Sequence, residues 1–152
     1  MTVLAYLLCI SLCVIGAIHF LWAMGSTWPC KDEVTLAKTV VGTRGVEKMP
    51  PRWASMFVAA CMVAAGIWAL ELRGRGPVNL SQVVAFVGGL GLAAAFSMRG
   101  ILGVFPAFEK MSPEQPFLRL NRRVYSPLSF LIGVGFALLV LAMPNWGWRL
   151  GG

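Results

Sequence analysis

Three observations predict an all-α polytopic membrane protein, with four transmembrane helices in an antiparallel bundle and a short interfacial helix before the fourth span. The chain is 58% hydrophobic and 12% charged, against about 45–50% apolar and about 25% charged in soluble domains. Four runs approach the ~20 apolar residues that a helix needs to cross the hydrocarbon core. Arginine, glycine and proline punctuate the ends of those runs, and the mean hydropathy is +0.75. A soluble fold is excluded because a chain of 152 residues has too little interior to hide every run.

The first run extends from Val3 to Met24. It lacks a basic amino-terminal flank, exceeds the ~7–15 apolar residues of a secretion signal and precedes no A-x-A cleavage pattern, so it reads as a permanent helix. Nor is Ile10-Ser11-Leu12-Cys13 a lipoprotein site, since the residue before the cysteine is not small. The second run, Trp53 to Leu72, ends at Arg73-Gly74-Arg75-Gly76-Pro77. The third, Val83 to Phe105, is closed by Pro106, and the fourth, Pro127 to Met143, by Pro144, because proline removes a backbone donor and clashes within a helix. The four spans make one domain over residues 1–152, without an internal repeat.

Ahead of the fourth span, Ser112-Pro113-Glu114-Gln115 has the serine, the first-turn proline and the glutamine of a capping box. Phe117, Leu120 and Val124 then share one helical face and Arg119, Arg122 and Arg123 the other. That pattern predicts a helix lying in the interface, apolar side down, with its arginines at lipid phosphates.

The net charge of +7 does not indicate nucleic acid, because the basic residues sit in the connections. Lys31, Lys38, Arg44, Lys48 and Arg52 flank the first connection, and Lys110, Arg119, Arg122 and Arg123 the third; the opposite side has Arg73, Arg75 and Arg149. By the positive-inside rule the first and third connections are expected in the cytoplasm and both termini outside.

Two ionisable residues interrupt the apolar runs. His19 is about five residues before the end of the first span and Arg99 about six before the end of the third, so both should lie roughly 8–9 Å inside the same face. Intramembrane charge is costly and usually faces a protein interior, a cavity or a ligand. Ala85, Gly88, Leu92, Ala95, Arg99 and Gly103 share one stripe, rich in the small residues that let membrane helices approach. Arg99 should therefore face a neighbouring helix. Its candidate partners are Glu109 or Glu114 folding back, the hydroxyls of Ser97 or Tyr125, backbone carbonyls, or an anion from outside the chain, since a guanidinium fork fits carboxylate and phosphate. Glu71 is too far away, at the opposite end of the second span.

One histidine with Cys9, Cys13, Cys30 and Cys61 makes no recognised metal-ligand spacing. No metal or other cofactor is expected, and Cys30 on the reducing side should form no disulfide. Trp22, Trp28, Trp53 and Tyr125 gather at the end that holds His19 and Arg99, as interfacial aromatics do. Ser129, Gly133 and Ala137 form a second small-residue ladder, on the fourth span.

Two stretches carry a family resemblance. Ile18-His19-Phe20-Leu21-Trp22-Ala23-Met24-Gly25, followed by Trp28-Pro29, is one; Phe117-Leu118-Arg119-Leu120-Asn121-Arg122-Arg123-Val124-Tyr125-Ser126-Pro127-Leu128 is the other. With Arg99-Gly100 between them, their order and spacing resemble a family of small bacterial membrane proteins catalogued as domain of unknown function 3995. The resemblance implies a four-helix protein of the bacterial inner membrane and no established activity. The chain departs from the pattern at Ser129, where a cysteine is expected, and at Asn121, where an acidic residue is. A metal or charge role at those two positions therefore does not carry over.

The functional expectation is a non-enzymatic membrane protein with a polar pocket near the cytoplasmic leaflet. His19, Trp22, Arg99, Arg122 and Tyr125 would line it and bind a lipid headgroup or small anion. Membrane lipids, an anionic small molecule or a membrane-protein partner are the partners this admits, with oligomerisation left open and nucleic acid excluded. A second class is an interaction protein, either an accessory subunit or an immunity protein against a membrane-targeting toxin. An enzyme with His19 as general base and Arg99 as electrostatic stabiliser ranks below both, because the sequence pairs neither with a second titratable group.

Overall fold

Four long helices carry the apolar runs. They are α1 (Thr2–Ala23), α3 (Arg52–Glu71), α4 (Gln82–Leu102) and α7 (Ser126–Leu141). Shorter helices occupy the first and third connections: α2 (Glu33–Val40), α5 (Pro106–Met111) and α6 (Phe117–Leu120). The computed structural model describes residues 1–74 and 76–143; Arg75, Arg149 and the helix stop expected at Pro144 lie outside them. No strand occurs among the described residues, and four helices are long and apolar enough to cross a membrane.

The spans pack as two antiparallel pairs. In the first, Gly16 of α1 faces Ala59 and Met62 of α3, while Gly66 of α3 faces Cys9 and Cys13 of α1. In the second, Gly89 of α4 meets Val140 of α7, Gly133 of α7 meets Ser97, and Gly100 meets Phe130. A Cβ at Gly100 would stand 2.7 Å from the Phe130 backbone nitrogen, so only glycine allows that approach. The pairs join at the end that carries the amino terminus. There Trp68 lies across Gly88 and its indole N–H donates to the Ala85 carbonyl at 3.0 Å, while Leu8 of α1 packs on Gly135 of α7. Leu12, Leu72, Phe136 and Leu139 form the buried centre, and Val3, Phe57, Val87 and Leu131 point outward. An apolar exterior is what helices presented to lipid require.

The small-residue stripe expected on α4 is divided between two neighbours. Ala85, Gly89, Ala93 and Gly100 are buried, with Ala93, Ser97 and Gly100 facing α7. Gly88 instead faces α3, and Ala95 is exposed. The α7 contact follows the four-residue ridge of a helix surface, as helix packing commonly does, whereas the expected stripe drifts along a 3.6-residue period.

The short helix expected before the fourth span is α6, and it runs straight into that span: from Phe117 the chain is helical to Leu141, passing through a π turn at Asn121–Tyr125. Pro127 supplies no N–H to the preceding turn. The Ser126 amide reaches back five residues to the Asn121 carbonyl, and the helix widens there. The capping box is absent. Ser112 ends α5, and the Glu114 carboxylate instead accepts from the Gly45 amide at 3.0 Å. Phe117 is buried, against Gly42 and near the rings of Phe108 and Tyr125, rather than immersed in lipid.

Those last contacts hold the first connection across the third. Gly42 (φ +70°) accepts the Glu114 amide at 3.2 Å, and a Cβ on it would strike the Phe117 ring. The Tyr125 hydroxyl donates to the Thr39 carbonyl at 3.2 Å, and the Trp22 indole N–H to the Trp28 carbonyl at 2.7 Å. Asp32 caps α2 by accepting the Thr35 amide at 2.8 Å, a bond that holds its carboxyl below the usual range. At the opposite end the buried Glu71 carboxylate accepts the amides of Val78 and Leu80 and shapes the second connection.

Candidate functional site

Between the two helix pairs, at the end away from the amino terminus, lies a cavity of about 540 Å³. Its side walls include Ile15, Ile18, Val58, Met62, Phe96 and Ile132 from the four spans, and Val40, Val41, Met49 and Pro50 of the first connection cover it. The surface is largely apolar, with a few polar groups from separate helices, the usual make-up of a small-molecule site. His19, Trp22, Arg99 and Tyr125 all line it.

Arg122, the fifth residue expected there, does not line the cavity. Its guanidinium makes a two-pronged ion pair with Glu109 on the outside of the third connection. The pair forms because the chain doubles back after α5, a feature that helical periodicity alone does not reveal. The Arg122 guanidinium also holds the Glu109 carboxyl below the usual carboxylate range.

Arg99 is the chemical centre of the site. It stands three residues before the end of α4, and His19 four before the end of α1. Both are thus roughly 5–6 Å inside their helix ends, somewhat shallower than the sequence estimate. The Arg99 side chain reaches toward the π turn and not into lipid. Its Nη2 donates to Asn121 Oδ1 at 3.0 Å, its Nη1 to Ser126 Oγ at 3.5 Å, and its guanidinium carbon lies 5.1 Å from the Phe108 ring centroid. The Ser126 hydroxyl also donates to Asn121 Oδ1, at 3.2 Å, and the Asn121 amide donates to the Gly103 carbonyl.

The π turn explains how two residues five apart can serve one guanidinium. On an ordinary α-helix such residues project about 140° apart; with bonding to the fifth residue they stack on one side. Asn121 and Ser126 are accordingly both buried, at 0% and 2% exposure. Gly103 leaves the space above them, since a Cβ there would clash with Arg99 Nη1.

None of these partners carries a formal charge. Of the carboxylates considered for Arg99, Glu109 is paired with Arg122, Glu114 with the first connection, and Glu71 is remote. Asn121 and Ser126 satisfy hydrogen-bond geometry and leave the +1 charge of Arg99 unneutralised. In the sequence Asn121 is a departure from the family pattern and Ser126 part of a motif, and neither feature points to Arg99. The usable signal was Pro127 inside a helical stretch.

The other lining residues are more constrained than their chemistry suggests. His19 Nδ1 is 2.9 Å from the Ile15 carbonyl, which can only accept, so Nδ1 is the donor in that bond. The His19 and Trp22 rings pack with centroids 4.8 Å apart. The polar atoms of Trp22 and Tyr125 are spent tethering the first connection, so these residues present rings to the cavity. Ser55 and Ser129 add hydroxyl groups to the wall. Among the described residues no group of three His, Cys, Asp or Glu could hold a metal ion.

Neither curated proteins nor solved structures offer a match to the chain. A family model described as "Protein of unknown function (DUF3995)" matches residues 12–136, a stretch that contains α3, α4, the cavity walls and the Arg99–Asn121–Ser126 cluster. The four-helix membrane protein described here therefore belongs to the DUF3995 family.

Proposed function

We propose that this protein binds an anionic group, carried by a lipid or by a small molecule, in the cavity between its helix pairs. One observation carries the reading: Arg99 lines an otherwise largely apolar cavity with only neutral partners around its guanidinium. A cation in such a place is costly unless compensated. An anion would supply the missing charge and accept charge-assisted hydrogen bonds from the guanidinium, with His19 Nε2 and the Ser55 and Ser129 hydroxyls as further contacts. The excess of basic residues in the first and third connections supports placing this end at the cytoplasmic leaflet of a bacterial inner membrane.

The test is native mass spectrometry of the protein extracted from membranes, alone and as Arg99→Leu. Wild type should retain an anionic species that the variant loses. Identical bound species in both would end the proposal.

A further inference from the structure

The polar groups of the cavity are confined to one layer. His19, Ser55, Arg99 and Ser129 each stand three or four residues from the ends of α1, α3, α4 and α7 that adjoin the first and third connections. Ile15, Met62, Phe96 and Ile132 stand six to ten residues from the same ends, roughly 5–10 Å further toward the membrane middle. That deeper wall is purely apolar. The rim is apolar as well: Val124 and Leu128 line the cavity yet are 45% and 40% exposed. On a membrane-spanning helix, a mouth of this kind faces acyl chains.

A small hydrated anion suits the polar layer and not the rest. It would have to shed water while passing an apolar rim, and it would leave the deep compartment unfilled. A neutral hydrocarbon suits the deep wall and leaves the Arg99 charge unmet. The geometry points to a single-chain anionic amphiphile as the occupant, a fatty acid or alkyl phosphate in chemical type. Its head would sit against Arg99 and its chain between the helix pairs toward Met62 and Ile132. The inference rests on the anion reading above and adds the tail. A cavity of about 540 Å³ is in the range of about 300–1,000 Å³ that suits one small ligand. Membrane residence would deliver such a molecule sideways to the rim.

The test uses the full chain in phosphatidylcholine nanodiscs, with occupancy read by native mass spectrometry after addition of dodecyl phosphate, dodecanol or inorganic phosphate. Dodecyl phosphate should be retained at least ten-fold better than either of the others. Asn121→Asp, which places a carboxylate beside Arg99 while giving up the bond to the Gly103 carbonyl, should lower that retention at least ten-fold. Val58→Trp, which fills the cavity from α3, should lower it similarly. Inorganic phosphate bound as well as dodecyl phosphate, or full retention by Val58→Trp, would overturn the tail while leaving the anion reading standing. Dodecanol bound as well as dodecyl phosphate would overturn the anion reading, and with it the amphiphile. Retention of none of the three overturns both.

Discussion

Asn121 occupies the position that decides how much of the Arg99 charge remains available. Its carboxamide accepts from the guanidinium as a carboxylate would, and its amide also donates to the Gly103 carbonyl, which a carboxylate could not. A carboxylate at 4 Å would attract the guanidinium by about 4 kcal/mol at an effective dielectric of about 20, before desolvation is subtracted, enough to displace most external anions. The Glu109–Arg122 pair shows the contrasting case of a charge matched within the chain. Its lowered carboxyl pKa means that the contact is fully formed above the ordinary carboxylate range and is lost as pH falls through the lower folded value. Acidification should therefore lower the amide protection factors of α5, taken relative to the intrinsic exchange rate at each pH, and Glu109→Gln should show the lower protection already at neutral pH, with little further change on acidification. Hydrogen exchange followed by mass spectrometry checks both, and an acid response retained by Glu109→Gln would refute the assignment.

At the level of helices, apolar runs located all four spans, with ends misplaced by a few residues. The third stops at Leu102 rather than Phe105, and Pro106 opens a new short helix instead of closing the old one. Less legible was that the short helix from Phe117 continues through the π turn into the fourth span. Local signals, an apparent cap and an amphipathic face, predicted an interfacial helix, but long-range bonds from Glu114 to Gly42 and Gly45 took the cap away. Glycine placement on α4 gives a sharp contrast to measure. Gly100→Ala drives a methyl into the Phe130 backbone, whereas a Cβ at Gly91 meets nothing within 4 Å. The first should destabilise the protein by about 1–3 kcal/mol, as overpacking does. The second should be neutral or slightly stabilising, since alanine is the better helix former. Thermal unfolding of the two variants in the same detergent tests this, and equal shifts would refute the tight α4–α7 approach.

For the molecule as a whole, two helix pairs meet at one end, while the connections fold over the cavity left between them at the other. The cover is held by few contacts, of which Gly42 against Phe117 is the least tolerant of change: positive φ and a Cβ clash both require glycine there. Gly42→Ala should loosen the first connection while leaving the four spans intact. A cysteine placed at Val41 should then react faster with a membrane-impermeant maleimide, with far-UV circular dichroism unchanged. Unaltered labelling would show that the cover does not depend on this contact. His19, Trp22, Arg99 and Tyr125 could be assembled on paper because each sits near a span end on the same side, and helix rise alone fixes depth. Hydropathy and the cost of burying charge were thus enough for the class and the four spans, since these follow from transfer between water and lipid one segment at a time. Which carboxylate pairs with which arginine, the π turn that turns Asn121 and Ser126 toward Arg99, and the void between the pairs arose only in the folded chain, because each depends on contacts between residues distant in sequence or on a helix register that periodicity does not encode.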